Sequence, residues 1–320
     1  MPPRSLSPSL RITLLALAGL VVVALFMTIG ANGSWSFVLP FRGTKVAAMI
    51  LVGTAIAVST LLFQTVTANR ILTPSIMGLD QLYVLIQTCL VFLAGAAGLT
   101  LLGPRWLFVL EIAAMVGFSL LLFRALFSGS VRDLHLLVLV GIVFGLLFRS
   151  LSGFLARIID PNDFVVLQDA LFANFNSVDQ ELLAISAIAV GLVLVLVWRM
   201  RHVLDVLALG REATINLGVE HRRMVALVLV LVAILVSVST ALVGPVTFFG
   251  LLVVSIAYQI TGSEKHRHLL PVASLLGAVT LLAGQLVLER VFALGTALGI
   301  VIEFAGGLMF IWLLLKGKVR

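Results

Sequence analysis

Long apolar runs, separated by short polar stretches, dominate this chain. They stand at about 12–29, 46–66, 76–97, 106–127, 134–155, 181–198, 224–260, 269–291 and 296–315. Most approach the roughly 20 residues that a helix needs to cross a bilayer core. The run 224–260 is too long for one crossing. As a continuous helix it would extend about 55 Å, against a hydrocarbon core of about 30 Å. Gly244-Pro245 lies inside it and is the natural break, so two helices are expected there, about 224–242 and 246–260. The pattern predicts an all-α, polytopic membrane protein with ten transmembrane helices, forming a single domain over residues 1–320.

Two connections are more than turns. In 156–180, Asp160-Pro161 reads as the N-cap and first residue of a short helix, with Phe164, Leu167 and Leu171 on one face. In 200–222, mixed charge is laid over a helical pattern of its own.

Charge then orients the chain. Only 11% of residues are Asp, Glu, Lys or Arg, whereas an ordinary soluble domain has roughly 25%. With 61% apolar residues, this excludes a soluble enzyme, a secreted disulfide scaffold and a disordered tail. The net charge of +7 is not gathered into a nucleic-acid face, so no nucleic acid is expected as a partner. It reads instead as the Lys/Arg excess of cytoplasmic loops. Arg4 and Arg11 precede the first run, and Lys316, Lys318 and Arg320 follow the last. Both termini are therefore expected in the cytoplasm, which requires an even number of spans. That places 156–180 outside and 200–222 inside, with Arg42, Lys45, Arg105, Arg149, Arg157 and Arg290 outside or at depth. The first run is read as a retained span, since no Ala-x-Ala cleavage site follows it.

Catalytic signatures are missing from the sequence. There is no Gly-x-Ser-x-Gly elbow, no His-Glu-x-x-His pair and no phosphate loop, so any ATP must be hydrolysed by another chain. No metal ligands or catalytic residues are expected. Cys89 reads as a small buried apolar residue. The histidines (135, 202, 221, 266 and 268) lie in or beside loops, and the His266-Arg267-His268 tract reads as solvated. Intramembrane charge is the usual mark of an ion-coupled carrier, and Asp80, Glu111, Arg149 and Glu303 are the candidates. Gly141 and Gly145, and again Gly295 and Gly299, are spaced for close helix approach, either within the chain or against a second copy.

Three stretches carry a family resemblance. The first is Leu207-Ala208-Leu209-Gly210-Arg211-Glu212-Ala213-Thr214-Ile215-Asn216-Leu217-Gly218-Val219. The second is Gly244-Pro245-Val246-Thr247-Phe248-Phe249-Gly250-Leu251. The third is Phe63-Gln64-Thr65-Val66-Thr67-Ala68-Asn69-Arg70 with Leu72-Thr73-Pro74-Ser75-Ile76-Met77-Gly78. Together they resemble the permease subunits of ABC importers for iron-siderophores, haem and vitamin B12 (type II importers). Val254-Ser255-Ile256 stands where that family commonly has Val-Pro-His, and Asn69-Arg70 stands for its Asn-Pro. Both departures, with the 266–271 loop, resemble the subgroup serving catecholate siderophores.

The resemblance implies a vitamin B12 importer permease-like fold in the bacterial inner membrane. It implies a second permease subunit, identical or homologous, two ATPase subunits that hold ATP and Mg, and a soluble substrate-binding protein; this chain itself would bind no cofactor. Leu209, Gly210, Arg211, Glu212, Ala213, Leu217, Gly218 and Val219 would couple to the ATPase. Arg42, Lys45 and Arg290 would meet the binding protein. The fifth and tenth spans would line the pathway or subunit interface, through Gly141, Gly145, Phe148, Arg149, Glu303 and Gly306. Gly299, Glu303 and Gly306 fall on one helix side, which is expected against another helix. The rival readings are the same machine carrying haem or cobalamin, an ion-coupled secondary carrier using Glu303 and Glu111, and, least supported, a membrane-embedded enzyme.

Overall fold

A computed structural model describes residues 7–30, 34–95, 97, 103–127, 134–290 and 298–315. Arg4, Lys316, Lys318, Arg320, Gly295 and the side chain of His135 lie outside the described residues. All regular structure among the described residues is helical. In chain order the first helices are α1 (Pro8–Thr28), α2 (Trp35–Thr67), a 3₁₀ turn (Pro74–Met77), α3 (Leu79–Ala94), α4 (Gly103–Phe127), α5 (Leu134–Ala156) and α6 (Pro161–Leu171). There follow α7 (Gln180–Arg199), α8 (Arg201–Leu207), α9 (Arg211–Asn216), α10 (His221–Val243), α11 (Phe249–Thr261), α12 (His266–Arg290) and α13 (Leu298–Leu315).

Every one of the ten predicted apolar segments contains a helix. Seven of these helices, α1, α2, α4, α5, α7, α10 and α12, are long and apolar enough to cross a membrane. The apolar helices α3, α11 and the described part of α13 are shorter. A helix is the natural state of such segments, because in hydrocarbon each backbone N–H and C=O must find its partner within the chain.

Local chemistry sets several boundaries. Gly244, at φ +94°, ends α10, and α11 begins at Phe249, so the break expected at Gly244-Pro245 is present. Only glycine takes up that backbone readily, and proline has no N–H to continue the ladder. Asp160 caps α6 by accepting from the Asn162 N–H at 2.9 Å. Leu167 is buried on that helix, while Val165 and Val166 on the other face are exposed. Asp179 caps α7 through the N–H groups of Glu181 and Leu182, at 2.8 and 3.0 Å.

The centre of the bundle is α2, which packs against α10, α11 and α12. Apolar burial gives membrane helices little reason to associate, so small residues and close contact must do it. Gly53 of α2 and Gly277 of α12 meet backbone to backbone. Gly250 of α11 sits on Thr60 of α2, and Gly19 of α1 faces Val279 of α12. Cys89 is half-buried rather than enclosed in the core.

Candidate functional site

The 200–219 segment is built from two short helices and two glycine turns. Gly210 has φ +92° and opens α9; Gly218 has φ +79° and closes it. The Gly218 N–H donates to Ile215 O at 3.0 Å and the Val219 N–H to Thr214 O at 3.1 Å. That pair of bonds is a Schellman end, and it explains locally why Leu217, Gly218 and Val219 occur together. Thr214 is fully buried, and its hydroxyl lies 3.1 Å from Val206 O and 2.7 Å from Gly210 O, joining α9 to α8. The outer surface is unusual for a polar loop. Leu209, Ile215 and Leu217 are 65%, 53% and 60% exposed, beside exposed Arg211 and Glu212, with Ala213 half-buried. Three large apolar side chains open on so short a segment read as a contact surface rather than as a solvated loop.

This segment is anchored by a residue that the sequence pattern misplaced. His266 is buried, 1% exposed, and is not solvated as its basic tract suggested. Asp205 Oδ1 of α8 accepts from the His266 backbone N–H at 2.7 Å and lies 2.8 Å from its Nδ1. On the far side of the ring, Nε2 lies 2.9 Å from Thr65 Oγ1 in the last turn of α2. Asp205 accepts a hydrogen bond from the Nδ1–H, which orients the imidazole toward Thr65. At the same end, Arg70 pairs with Glu264 and covers the Tyr258 ring, and Arg11 donates to Ile260 O at 2.5 Å.

The opposite end of the bundle gathers Arg42, Lys45 and Arg290. Arg42 donates to the carbonyls of Phe26, Met27, Ile29 and Gly30, at 2.7–3.1 Å, and so closes the C-terminus of α1. A guanidinium there also meets the negative end of the helix dipole. Lys45 turns inward, donating to Asn176 Oδ1 at 2.7 Å and pairing with Glu289 at 3.5 Å, with its ammonium over the Phe41 ring. Arg290 is exposed and its guanidinium lies against Gly30. The three cations are thus neighbours, and Arg42 and Lys45 have partners among the described residues.

The residues assigned to the pathway separate into three groups. Gly141 and Gly145 are buried against the 3₁₀ turn of the same chain: a Cβ on Gly141 would stand 2.9 Å from Met77 Cα, and one on Gly78 would stand 2.9 Å from the Gly145 nitrogen. Phe148 packs with Phe118 and Phe144, at ring centroid distances of 5.1 and 5.8 Å, whereas Arg149 is exposed. On α13, Gly299 lies against Ala173 and Gly306 against Phe248. Glu303, between them, accepts from Thr247 Oγ1 at 3.1 Å and is exposed on this chain. The small side of α13 therefore meets the 172–173 connection and the Thr247-Phe248 turn that leads into α11, and α13 packs along α11 itself.

Two carboxyl groups lie in the interior. Glu111 accepts from Gln87 Nε2 at 2.5 Å, and Asp80 Oδ1 lies 3.4 Å from Thr240 Oγ1. Glu111 and Glu303 have separate partners, Gln87 on α3 and Thr247 in the turn before α11. Among the described residues, no three His, Cys, Asp or Glu side chains gather as a metal site would require.

Apolar helices wrapped round a buried central helix, with a short amphipathic segment at one end, define a polytopic membrane protein. Residues 9–316 match the model of the FecCD transport family, and the chain belongs to that family. It is 47% identical over 307 residues to the petrobactin import system permease protein YclO of Bacillus subtilis, covering 96% of this chain and 97% of that protein. It is 35% identical over 277 residues to the petrobactin import system permease protein FatC of Bacillus anthracis, covering 87% and 78%. Identity to the vitamin B12 import system permease protein BtuC of Salmonella typhimurium is 28%, covering 95% and 94%. A metal-chelate type ABC transporter solved in an inward-facing conformation shares the fold, with a TM-score of 0.84 at 22% identity, over 97% of this chain and 100% of that one.

Proposed function

We propose that this chain is the permease subunit of a binding-protein-dependent ABC importer that carries a ferric siderophore, of catecholate type, across the bacterial inner membrane. Two permeases enclose the pathway, and both termini lie in the cytoplasm. ATP and Mg are held by two separate ATPase subunits, and a soluble binding protein delivers the ligand to the opposite rim. The single observation that carries this reading is the exposed Leu209, Ile215 and Leu217 on a glycine-bracketed segment. A surface of that kind fits an apolar groove on a partner chain, with Arg211 and Glu212 at its edge. Movement of the bound ATPase would rock the helices and move the ligand inward.

Petrobactin is the first cargo to test, because both petrobactin permeases are more similar to this chain than the vitamin B12 permease is. The test is uptake by vesicles holding the permease with its co-purified ATPase and binding protein. ATP-dependent uptake of ferric petrobactin, without uptake of cobalamin or haem, is the expected result. Uptake that follows an imposed ion gradient and ignores ATP would overturn the importer reading in favour of an ion-coupled carrier.

A further inference from the structure

Helices α2 and α12 are tied together at three levels. At one end Thr65 meets His266 at 2.9 Å. Near the middle, Gly53 and Gly277 bring the two backbones into contact. At the other end Lys45 pairs with Glu289 at 3.5 Å, and this lysine is largely buried. Lys45 and Thr65 are 20 residues apart, about 30 Å of helix, which is the thickness of a bilayer core. The pair is an antiparallel strut, and its contacts leave little room for one helix to slide on the other.

Helix α8 of the 200–219 segment packs on both members of this strut, and one polar side chain, Asp205, ties it to them. Helix α8 has seven residues, too few to be stable alone, so its position depends on what holds it. Leu204 and Leu207 are buried beneath it, and Asp205 receives two hydrogen bonds from His266, one from the backbone and one from the ring. A partly buried hydrogen bond to a carboxylate is directional and strong, unlike apolar contact, which permits sliding.

We infer that Asp205–His266–Thr65 is the joint through which movement of the 200–219 segment reaches the α2–α12 strut, and through it the opposite rim. His266 acts here as a positioning residue. The inference rests on the importer reading, in which that segment is driven by an ATPase and the opposite rim receives the binding protein.

The test measures ATP hydrolysis by the assembled permease and ATPase, with and without ligand-loaded binding protein. In the unaltered complex, stimulation by the binding protein is a signal that has crossed the membrane. A wild-type complex without such an ATPase, or without stimulation, would defeat the importer reading itself and is seen before any variant is made. Given a stimulated wild type, Asp205→Ala and His266→Ala should each lower stimulation at least several-fold while basal hydrolysis persists. The double variant should be no worse than either single one, because both break one joint. Asp205→Asn, which keeps an acceptor oxygen for both donors, should restore most of the stimulation. Full stimulation in either alanine variant would overturn the inference, as would single effects that multiply in the double variant. An Asp205→Ala permease that loses its ATPase while Asp205→Asn retains it would also overturn it, assigning the pair to docking rather than transmission.

Discussion

A Cβ placed on Gly53 would stand 2.6 Å from the carbonyl of Gly277, closer than real side chains approach a backbone. The two central helices touch there with nothing between them. Gly53→Ala or Gly277→Ala must force α2 and α12 apart, and overpacking of this kind costs about 1–3 kcal/mol. We expect a lower thermal midpoint in detergent for both variants. Gly117→Ala is the control: nothing lies within 4 Å of its Cβ position, and alanine favours a helix over glycine by about 1 kcal/mol. A Gly53→Ala protein as stable as Gly117→Ala would contradict the contact.

The glycines of the 200–219 segment fail for a different reason. Gly210 and Gly218 stand at φ +92° and +79°, and each donates an N–H, to Leu207 O and Ile215 O. Proline can adopt neither angle and has no N–H to give. Gly210→Pro and Gly218→Pro should leave the chain inserted but cut uptake and ligand-stimulated ATP turnover roughly tenfold or more, in line with strain of about 1–3 kcal/mol at a displaced surface. Turnover and uptake at the wild-type level would remove this segment from the coupling role.

At the opposite rim, stability and docking can be separated. Arg42→Ala removes four bonds to carbonyls in the last turn of α1 and just after it, so it should lower thermal stability, by about 1–2 kcal/mol. Arg290→Glu changes an exposed charge and should leave stability near the wild type. If this rim receives an acidic binding protein, Arg290→Glu slows association at low salt, and the difference shrinks as salt is added. Association rates equal to wild type at low salt would leave Arg290 without a docking role.

Glu303 and Glu111 provide the check on ion coupling. Each accepts one neutral hydrogen bond, from Thr247 and Gln87 respectively. Glutamine can still accept those bonds, so Glu303→Gln and Glu111→Gln should retain ATP-driven uptake. Glu303→Leu loses the Thr247 bond and should assemble poorly. Loss of uptake in either glutamine variant, with assembly intact, would show that the charge itself is used. Labelling of Glu303→Cys in a Cys89→Ser background would then report whether water reaches this position in any nucleotide state.

Much of this protein was legible without its structure, because the signals are local. Run length sets a helix, Gly244-Pro245 ends one, and Asp160-Pro161 starts another. Each depends on backbone geometry within a few residues. The paired glycines Gly141 and Gly145 announced a close approach, but their partner, the 3₁₀ turn at Met77-Gly78, could not be read from spacing alone.

What only the tertiary structure decided is the set of contacts between residues far apart in the chain. His266 sits in a tract that reads as solvated, yet Asp205, 61 residues away, and Thr65, 201 residues away, enclose it. Lys45 reads as a rim charge until Glu289 and Asn176 are found beside it. Hydrophobic periodicity records which face of a helix is apolar. It does not record which helix will lie against that face, and in a membrane, where apolar burial does not discriminate between neighbours, that choice falls to small residues and to a few polar pairs. The sequence by itself determined that these segments are helical and where Gly244-Pro245 and Asp160-Pro161 break or start them, though α2 begins at Trp35, well before the apolar run that marks it. The packing of α2 against α12 decided which polar side chains became joints.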